Sequence, residues 1–460
     1  MLICPNNHEN LGGLSHCRVC GLPLLDLEAE FASLAKNMVN RAEMGHLAPR
    51  VLLVGLGTVG ANLTHLCKTG YPNHSSEYSY LAIDADEAGI SNGQKDVLHS
   101  TLETFIPTGG TFCGIGEMAI RSDAHLIPVF RRAGLNHKDD NQAAILIAGI
   151  GGGIGSAASV LVEKVRQLNP LCHVLALVVA PGEDESFHNH LNAYYALSHL
   201  LRRDSPRAAD LTIALRYDRI KTVKGVGTGG QELTVNGLLA SLSDLLMKNL
   251  PSQYLAEVLR VNQSLGIKLV IPCLALGRSL EIFGNLTNIL ESTIVFPANR
   301  ISNQCVRVCH LILRTPSSQI ASFREEAVNE HLWVFVKQHF PNVKAVTSYI
   351  SRSDERHDRI EACLLLGGGS ASSAIFSDGN SLARFRSELE KDLSWQTYGL
   401  NKDVVKLANE AIMQYDDAME TPESEKKVKR FKLDKSSLNQ IRLPYKSTEV
   451  SNASSPQVPA

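Results

Sequence analysis

The chain has no excess of charge of either sign: 45 Lys and Arg face 47 Asp and Glu, a net of −2. A balance so near neutral counts against a broadly basic nucleic-acid binder and against a supercharged surface. The opening MLICPNNHEN holds neither a basic region nor a long apolar stretch, so no secretory signal is read there. A clean hydrophobic span is missing too. The best candidate, residues 143–162, carries five glycines mid-segment and reads as a buried strand, a loop and a helix start. Internal repeats are absent. What is present is ample core material: 44% apolar and 20% charged residues over 460 positions, enough for roughly three domain-sized units. These features point to a soluble protein of the cytoplasm without a membrane span.

The ten cysteines fall into two classes. Seven are scattered, mostly in apolar surroundings, as expected of buried thiols in a reducing compartment. The other three crowd the amino terminus in Cys4-Pro-Asn-Asn-His8 and Cys17-Arg-Val-Cys20-Gly21. Ligand pairs two or three residues apart on two short knuckles can close a tetrahedron around Zn2+. Cys4, His8, Cys17 and Cys20 are the expected ligands. His16, beside Cys17, is the more cramped choice for the fourth. Some twenty residues have no core of their own, so the metal would supply the folding energy. The segment resembles the zinc-ribbon heads of form CPxxH…CxxCG.

Residues 24–46 show helical periodicity and read as a helix joining the knuckle to the main body, which starts near Pro49. From there strands and helices alternate, with strands at 50–54, 81–83, 144–148, 173–179 and 211–215. That alternation predicts a parallel, Rossmann-like α/β sheet covered on both faces. A long apolar helix (235–247) follows. Strands at 268–276, 305–314, 345–351 and 360–366, with a helix at 322–339, predict a second, smaller α/β domain. Residues 381–419 read as helical. The expected organisation is a zinc knuckle at 1–23 and a linking helix at 24–48. A nucleotide-binding domain spans 49–250, a second domain 251–370 and C-terminal helices 371–420. The remainder, 421–460, is a polar, disordered tail. The tail holds one basic run, Lys426-Lys427-Val428-Lys429-Arg430, which reads as a solvated cluster or a docking site.

Two glycine loops carry the chemistry. Gly55-Leu-Gly57-Thr58-Val-Gly60 follows a strand and opens a helix, and Asp84 closes the next strand 24 positions later. Glycines permit a tight turn and close backbone approach, and a helix N-terminus presents N–H groups to phosphate. Alone, this loop fits a nicotinamide oxidoreductase. Gly149-Ile-Gly151-Gly152-Gly153-Ile154-Gly155-Ser156 repeats the arrangement after a second buried strand. Two such loops on one sheet point to one nucleotide gripped by both, and consecutive N–H groups there suit a di- or triphosphate.

In this order the motifs resemble the tubulin/FtsZ superfamily: GLGTVGAN at the first loop, AIDAD at the next strand end, and GIGGGIGSA at the family's glycine signature. Pro181-Gly-Glu-Asp-Glu185 stands at its sugar-binding loop. The resemblance covers roughly residues 49–369. It implies GTP or GDP as ligand and admits Mg2+ beside the phosphates. It implies that Gly55, Gly57, Thr58, Gly60 and Asn62 line the nucleotide, with Asp84 and Asp86 near base, sugar or metal. Gly110 and Thr111 approach the terminal phosphate, and Gly151, Gly152, Gly153, Ile154, Gly155 and Ser156 hold the phosphates. Glu185 and Asn189 take the ribose positions, Tyr217 a base-contacting position, and Asn236 reads the guanine edge, its amide both donating and accepting.

The resemblance also implies head-to-tail self-association, in which the next subunit supplies acidic residues for GTP hydrolysis. Here that stretch reads Asn249-Leu-Pro-Ser-Gln-Tyr-Leu-Ala-Glu257, leaving Glu257 as the one candidate catalytic acid and Tyr254 at its partner position. Ile154 replaces the signature threonine. These departures keep open a non-hydrolysing regulatory scaffold beside a slow or partner-dependent GTPase. The zinc knuckle and the tail are the segments through which a protein partner would be recruited; nucleic acid is not expected as one.

Overall fold

A computed structural model of the chain describes residues 2–3, 9–10, 50–70, 78–84, 98–101, 112–135, 142–202, 205–225, 232–251, 253–278, 285–295, 297, 299, 301–317, 319–320, 323–353, 359–391 and 402–420. Two short strands, β1 (Leu2–Ile3) and β2 (Glu9–Asn10), pair antiparallel. Then come β3 (Arg50–Leu56), α1 (Gly57–Gly70), β4 (Tyr78–Asp84) and β5 (Leu98–Thr101). Helices α2 (Cys113–Ser122) and α3 (Leu126–Arg132) precede β6 (Gln142–Gly149), α4 (Gly153–Ser156), α5 (Ala158–Leu168) and β7 (His173–Ala180). Next are α6 (Phe187–Leu200), β8 (Leu211–Arg216), α7 (Tyr217–Ile220), α8 (Val235–Asn249) and α9 (Gln253–Ser264). The second half holds β9 (Leu269–Arg278), α10 (Leu286–Val295), β10 (Val308–Pro316), α11 (Glu325–His339), β11 (Ala345–Ser353) and β12 (Arg359–Gly367). It closes with α12 (Gly379–Glu390) and α13 (Lys402–Glu420), two helices within the stretch that periodicity reads as one helical region.

Strands β3 to β12 form one ten-stranded sheet in the order β11-β10-β12-β9-β8-β7-β6-β3-β4-β5. From β5 through β9 every pairing is parallel; β12 runs antiparallel to both β9 and β10, and β10 and β11 are parallel. The second group of strands therefore extends the first sheet, through two register pairs, Thr212 with Leu269 and Ile213 with Val270.

The uninterrupted apolar runs follow from burial on both sides. Leu52, Val54, Leu81, Ile83, Leu146 and Val178 enter one core, beneath α2, α3, α5 and α6 and under α12 and α13. Val51, Leu53, Ala82, Ile145, Ile147 and Leu177 enter the other, beneath α1, α8 and α9. That second core runs on to Val270, Leu274, Ile312 and Leu365, so α8 covers both halves of the sheet. A third core packs α10 and α11 on the opposite face of β9 to β12.

α8 also meets the second half through buried charge. Arg314 Nη1 donates to Asp244 Oδ2 at 2.7 Å, and Arg314 Nε bonds Glu361. Arg359 Nε donates to Glu361 Oε1 at 2.7 Å, Arg359 Nη2 to Ser241 Oγ at 3.1 Å, and Lys248 Nζ lies 3.4 Å from Asp244 Oδ1.

Candidate functional site

The strand order reverses between β3 and β6: β4 and β5 lie to one side, β7 and β8 to the other. In an open parallel sheet such a reversal leaves a crevice beyond the carboxyl ends of the strands. Both glycine loops open into it. Gly57 begins α1 with φ of +69°, a left-handed conformation that a side chain would strain. A Cβ on Gly57 would stand 3.4 Å from the Gly155 nitrogen and 3.7 Å from Ile154 Cβ, so the loops approach to within the space of one added carbon. Gly155 is tighter still: a Cβ there would lie 2.0 Å from the Gly149 carbonyl oxygen. Gly55 and Gly60 are buried behind this approach, Asn62 is half-buried on α1, and Gly152 is exposed.

Neighbouring strand ends add polar groups. Thr58 Oγ1 donates to Asp84 Oδ2 at 2.9 Å, joining the first loop to the end of β4. After β7, Glu185 accepts from Gly182 N at 2.9 Å and from Asn189 Nδ2 at 2.8 Å, so the two expected ribose positions already touch. Ser186 caps α6 by accepting from Asn189 N. After β8, Tyr217 opens α7, about 36% exposed, with Lys221 Nζ 4.5 Å from its ring centre. Asp218 follows; burial would raise its carboxyl, but hydrogen bonds and charge from Arg216 outweigh this and hold it low. Asn236, exposed in the first turn of α8, sits behind the cap Thr234. At the roughly 4.8 Å spacing of strands, the ends of β4 to β8 line up Asp84, the two glycine loops, Glu185 and Tyr217 over about 19 Å.

Two expected side chains are not brought into the crevice. Ile154 is buried in the core with Ile150 and Ala157, its Cβ alone facing Gly57. Ser156 is fully buried, its Oγ donating to Gly153 O at 2.7 Å. Asp86, Gly110 and Thr111 lie outside the described residues, as do Cys4, His8, Cys17, Cys20 and the basic run at 426–430. Among the described residues, no group of three or more His, Cys, Asp or Glu could hold a metal ion. Nor is any helix there long and apolar enough to cross a membrane.

One structural residue escaped the sequence reading. Buried Asn192 on α6 donates to Gly151 O at 2.8 Å and accepts from Cys113 N at 2.9 Å, clamping the second loop to the start of α2. Its only signal was an amide between apolar neighbours on a buried helix face.

The candidate catalytic stretch lies elsewhere. Glu257 is exposed on α9. Tyr254, one turn earlier, is buried, stacked on Tyr349 at 5.3 Å, with its hydroxyl 2.9 Å from Thr347 Oγ1 and 3.3 Å from Leu311 O. Thr347 Oγ1 is 2.7 Å from His310 Nδ1, and Asn262 Nδ2 is 2.8 Å from His310 Nε2. The chain runs one way: Asn262 donates to His310, His310 to Thr347, Thr347 to Tyr254, and Tyr254 to Leu311. Burial drives the His310 pKa down to about 3, so it stays neutral, and drives the Tyr254 hydroxyl well above its ordinary range.

Comparison with solved structures decides the fold. The chain superposes on CetZ from Methanosaeta thermophila at a TM-score of 0.54 and 12% identity, covering 80% of this chain and 93% of that one. It matches CetZ2 from Haloferax volcanii, a GTPgS-bound protofilament, at 0.54 and 16%, covering 79% and 99%. It matches CetZ1 from the same organism, a GDP-bound monomer, at 0.55 and 15%, again covering 79% and 99%. The chain has the tubulin/FtsZ fold. No family model matches the sequence, and no curated protein does. On this fold, the order of the strands that end in Asp84, the glycine loops, Glu185 and Tyr217 is that of a Rossmann-like sheet, 3-2-1-4-5-6 from β5 to β8.

Proposed function

We propose that this chain binds a guanine nucleotide along the carboxyl edge of its parallel strands and assembles head to tail, a second copy covering the nucleotide. The observation that carries this is the close approach of the two glycine loops at the strand-order reversal. The groups present suit such a ligand. Gly57, Gly151 and Gly153 to Gly155 offer backbone N–H groups at or near helix starts for phosphates, while the Gly152 N–H is taken by the Gly149 carbonyl. Glu185 and Asn189 can bond sugar hydroxyls, Tyr217 offers a ring to the base, and exposed Asn236 offers both a donor and an acceptor. Structural likeness to GTPgS-bound and GDP-bound CetZ proteins supports the reading.

The place of Glu257 supports the assembly reading. α8 is 15 residues long, about 22 Å, and α9 begins shortly after its far end. A chain with Asn236 at its own nucleotide therefore holds Glu257 at the opposite end of the sheet, where only a neighbour's crevice is within reach. Tyr254 is committed to the core, so Glu257 is the one acid left there to orient water. Water positioning is a large part of phosphoryl-transfer catalysis, and slow turnover is the expected outcome. The test is GTP turnover and light scattering measured across protein concentrations. Turnover per subunit should rise with concentration alongside scattering and fall about tenfold or more in Glu257→Gln. Bound GTP without turnover would instead favour the non-hydrolysing scaffold, and absence of GTP binding would overturn the reading.

We further propose a zinc knuckle at Cys4, His8, Cys17 and Cys20. The described strands, Leu2 paired with Asn10 and Ile3 with Glu9, flank the Cys4-Pro-Asn-Asn-His8 sequence. Metal analysis of purified protein should find one zinc per chain, lost in Cys17→Ser/Cys20→Ser while nucleotide affinity is kept. The buried free thiols of Cys67, Cys113, Cys172, Cys273, Cys309 and Cys363 suit a reducing cytoplasm.

A further inference from the structure

A second cleft lies between the start of α6 and α12, beyond the sugar-side loop. It encloses about 190 Å³, less than the roughly 300–1,000 Å³ of a cofactor pocket, and so fits one large side chain. Its walls are apolar: Phe187, Phe376 and Phe385, with Phe187–Phe385 and Phe376–Phe385 ring centres 5.2 and 4.9 Å apart. His190 stacks on Phe376 at 5.5 Å and donates from Nδ1 to the Ser186 carbonyl, which leaves Nε2 as acceptor in the neutral ring. The rim is acidic, formed by Glu183, Glu185 and Glu388. Arg384, the one exposed cation lining the cleft, is 3.4 Å from Glu388. Glu183 accepts from Ser377 Oγ at 2.6 Å and lies 3.9 Å from buried Arg216. A shallow cleft with a packed aromatic floor, edged by three carboxylates against one arginine, calls for a cationic segment with an aromatic anchor.

This chain's sequence contains such a segment. Residues 426–432 read Lys-Lys-Val-Lys-Arg-Phe-Lys, five cations around Phe431. We infer that the cleft receives residues 426–433 of a second copy, Phe431 packing onto the accessible face of Phe187 while the flanking Lys and Arg side chains face Glu183 and Glu388. The inference rests on the assembly reading only for the source of the segment. The ligand chemistry of the cleft stands without it, and no nucleotide is needed.

The probe is a fluorescent peptide of residues 424–435, titrated by polarisation into the full chain carrying Glu at positions 426, 427, 429 and 430, so that its own run does not compete. Saturable binding is expected, tighter than to the unaltered chain. Phe431→Ala in the peptide, or Glu183→Gln/Glu388→Gln in the protein, should each weaken it roughly tenfold, about 1.4 kcal/mol. Both carboxylates are solvent-accessible, so the double variant keeps its fold, checked by thermal melting. The inference falls if the peptide does not saturate, if a scrambled peptide binds equally, or if the double variant binds unchanged. It falls too if the run holds the chain on phosphatidylglycerol vesicles regardless of the cleft substitutions. A failed GTP assay leaves this outcome unaffected, and so the two readings fail separately.

Discussion

Gly155→Ala is expected to weaken the proposed nucleotide binding about a hundredfold or more while the sheet stays folded. The new Cβ would sit 2.0 Å from the Gly149 carbonyl oxygen, a backbone atom at the end of β6 that has no rotamer to turn. The second loop must therefore move. The space beside Gly57 changes with it, since only one carbon's width separates Gly57 from the Gly155 nitrogen. Phosphate recognition by N–H groups depends on their alignment to a few tenths of an ångström. A loss of affinity of about a hundredfold or more for GTP, near 3 kcal/mol, is expected in a fluorescent-nucleotide titration. Gly379→Ala is the control: a Cβ at Gly379 meets nothing within 4 Å, and the change should leave affinity and melting temperature nearly unchanged. Retained affinity in Gly155→Ala would place the phosphates away from this loop.

Glu361→Gln lowers the melting temperature on the order of 5–10 °C. The Glu361 carboxylate is enclosed, with Arg314 on one oxygen and Arg359 on the other. Removing its charge leaves two buried guanidinium groups short of compensation, a loss of roughly 3–5 kcal/mol. Burial by itself would raise its pKa; the charges and hydrogen bonds of the two arginines outweigh this and hold it below the ordinary glutamate value. A depressed carboxyl stabilises the fold above its unfolded pKa of about 4.3 and loses that contribution as pH falls through the folded value. The gap between the parent and Glu361→Gln should thus be full at neutral pH and shrink below about pH 4. Melting curves across that range check both the size and the sign.

The central strands and the two glycine loops were legible because each is a local pattern: a continuous apolar run, then glycines where backbones must touch. Helices α2 and α3 were not, since Gly114, Gly116 and Pro128 interrupt their periodicity. Other features depend on partners distant in the chain. Asn192 and Gly151 are 41 positions apart, Arg314 and Asp244 70. Hydrophobic periodicity places a residue on a face but does not name what it meets there. The merging of two strand groups into one sheet rests on two register pairs, which no composition reveals. The conflict at Tyr254 could be seen as a missing acid. That the tyrosine belongs to the core became visible only when Thr347 and Leu311 came beside it.

The one-way hydrogen-bond chain through His310 has a mechanical meaning. Tyr254 bolts the front of α9 to β10 and β11, and Asn262 bolts its rear to β10, while Glu257 projects between the two bolts. The helix beneath Glu257 is thus fixed in advance, and only the exposed carboxylate itself remains to be ordered by a neighbour. In the proposed head-to-tail assembly, little contact energy would then be lost to immobilising the helix, and the strength of the joint would depend on what the two faces match.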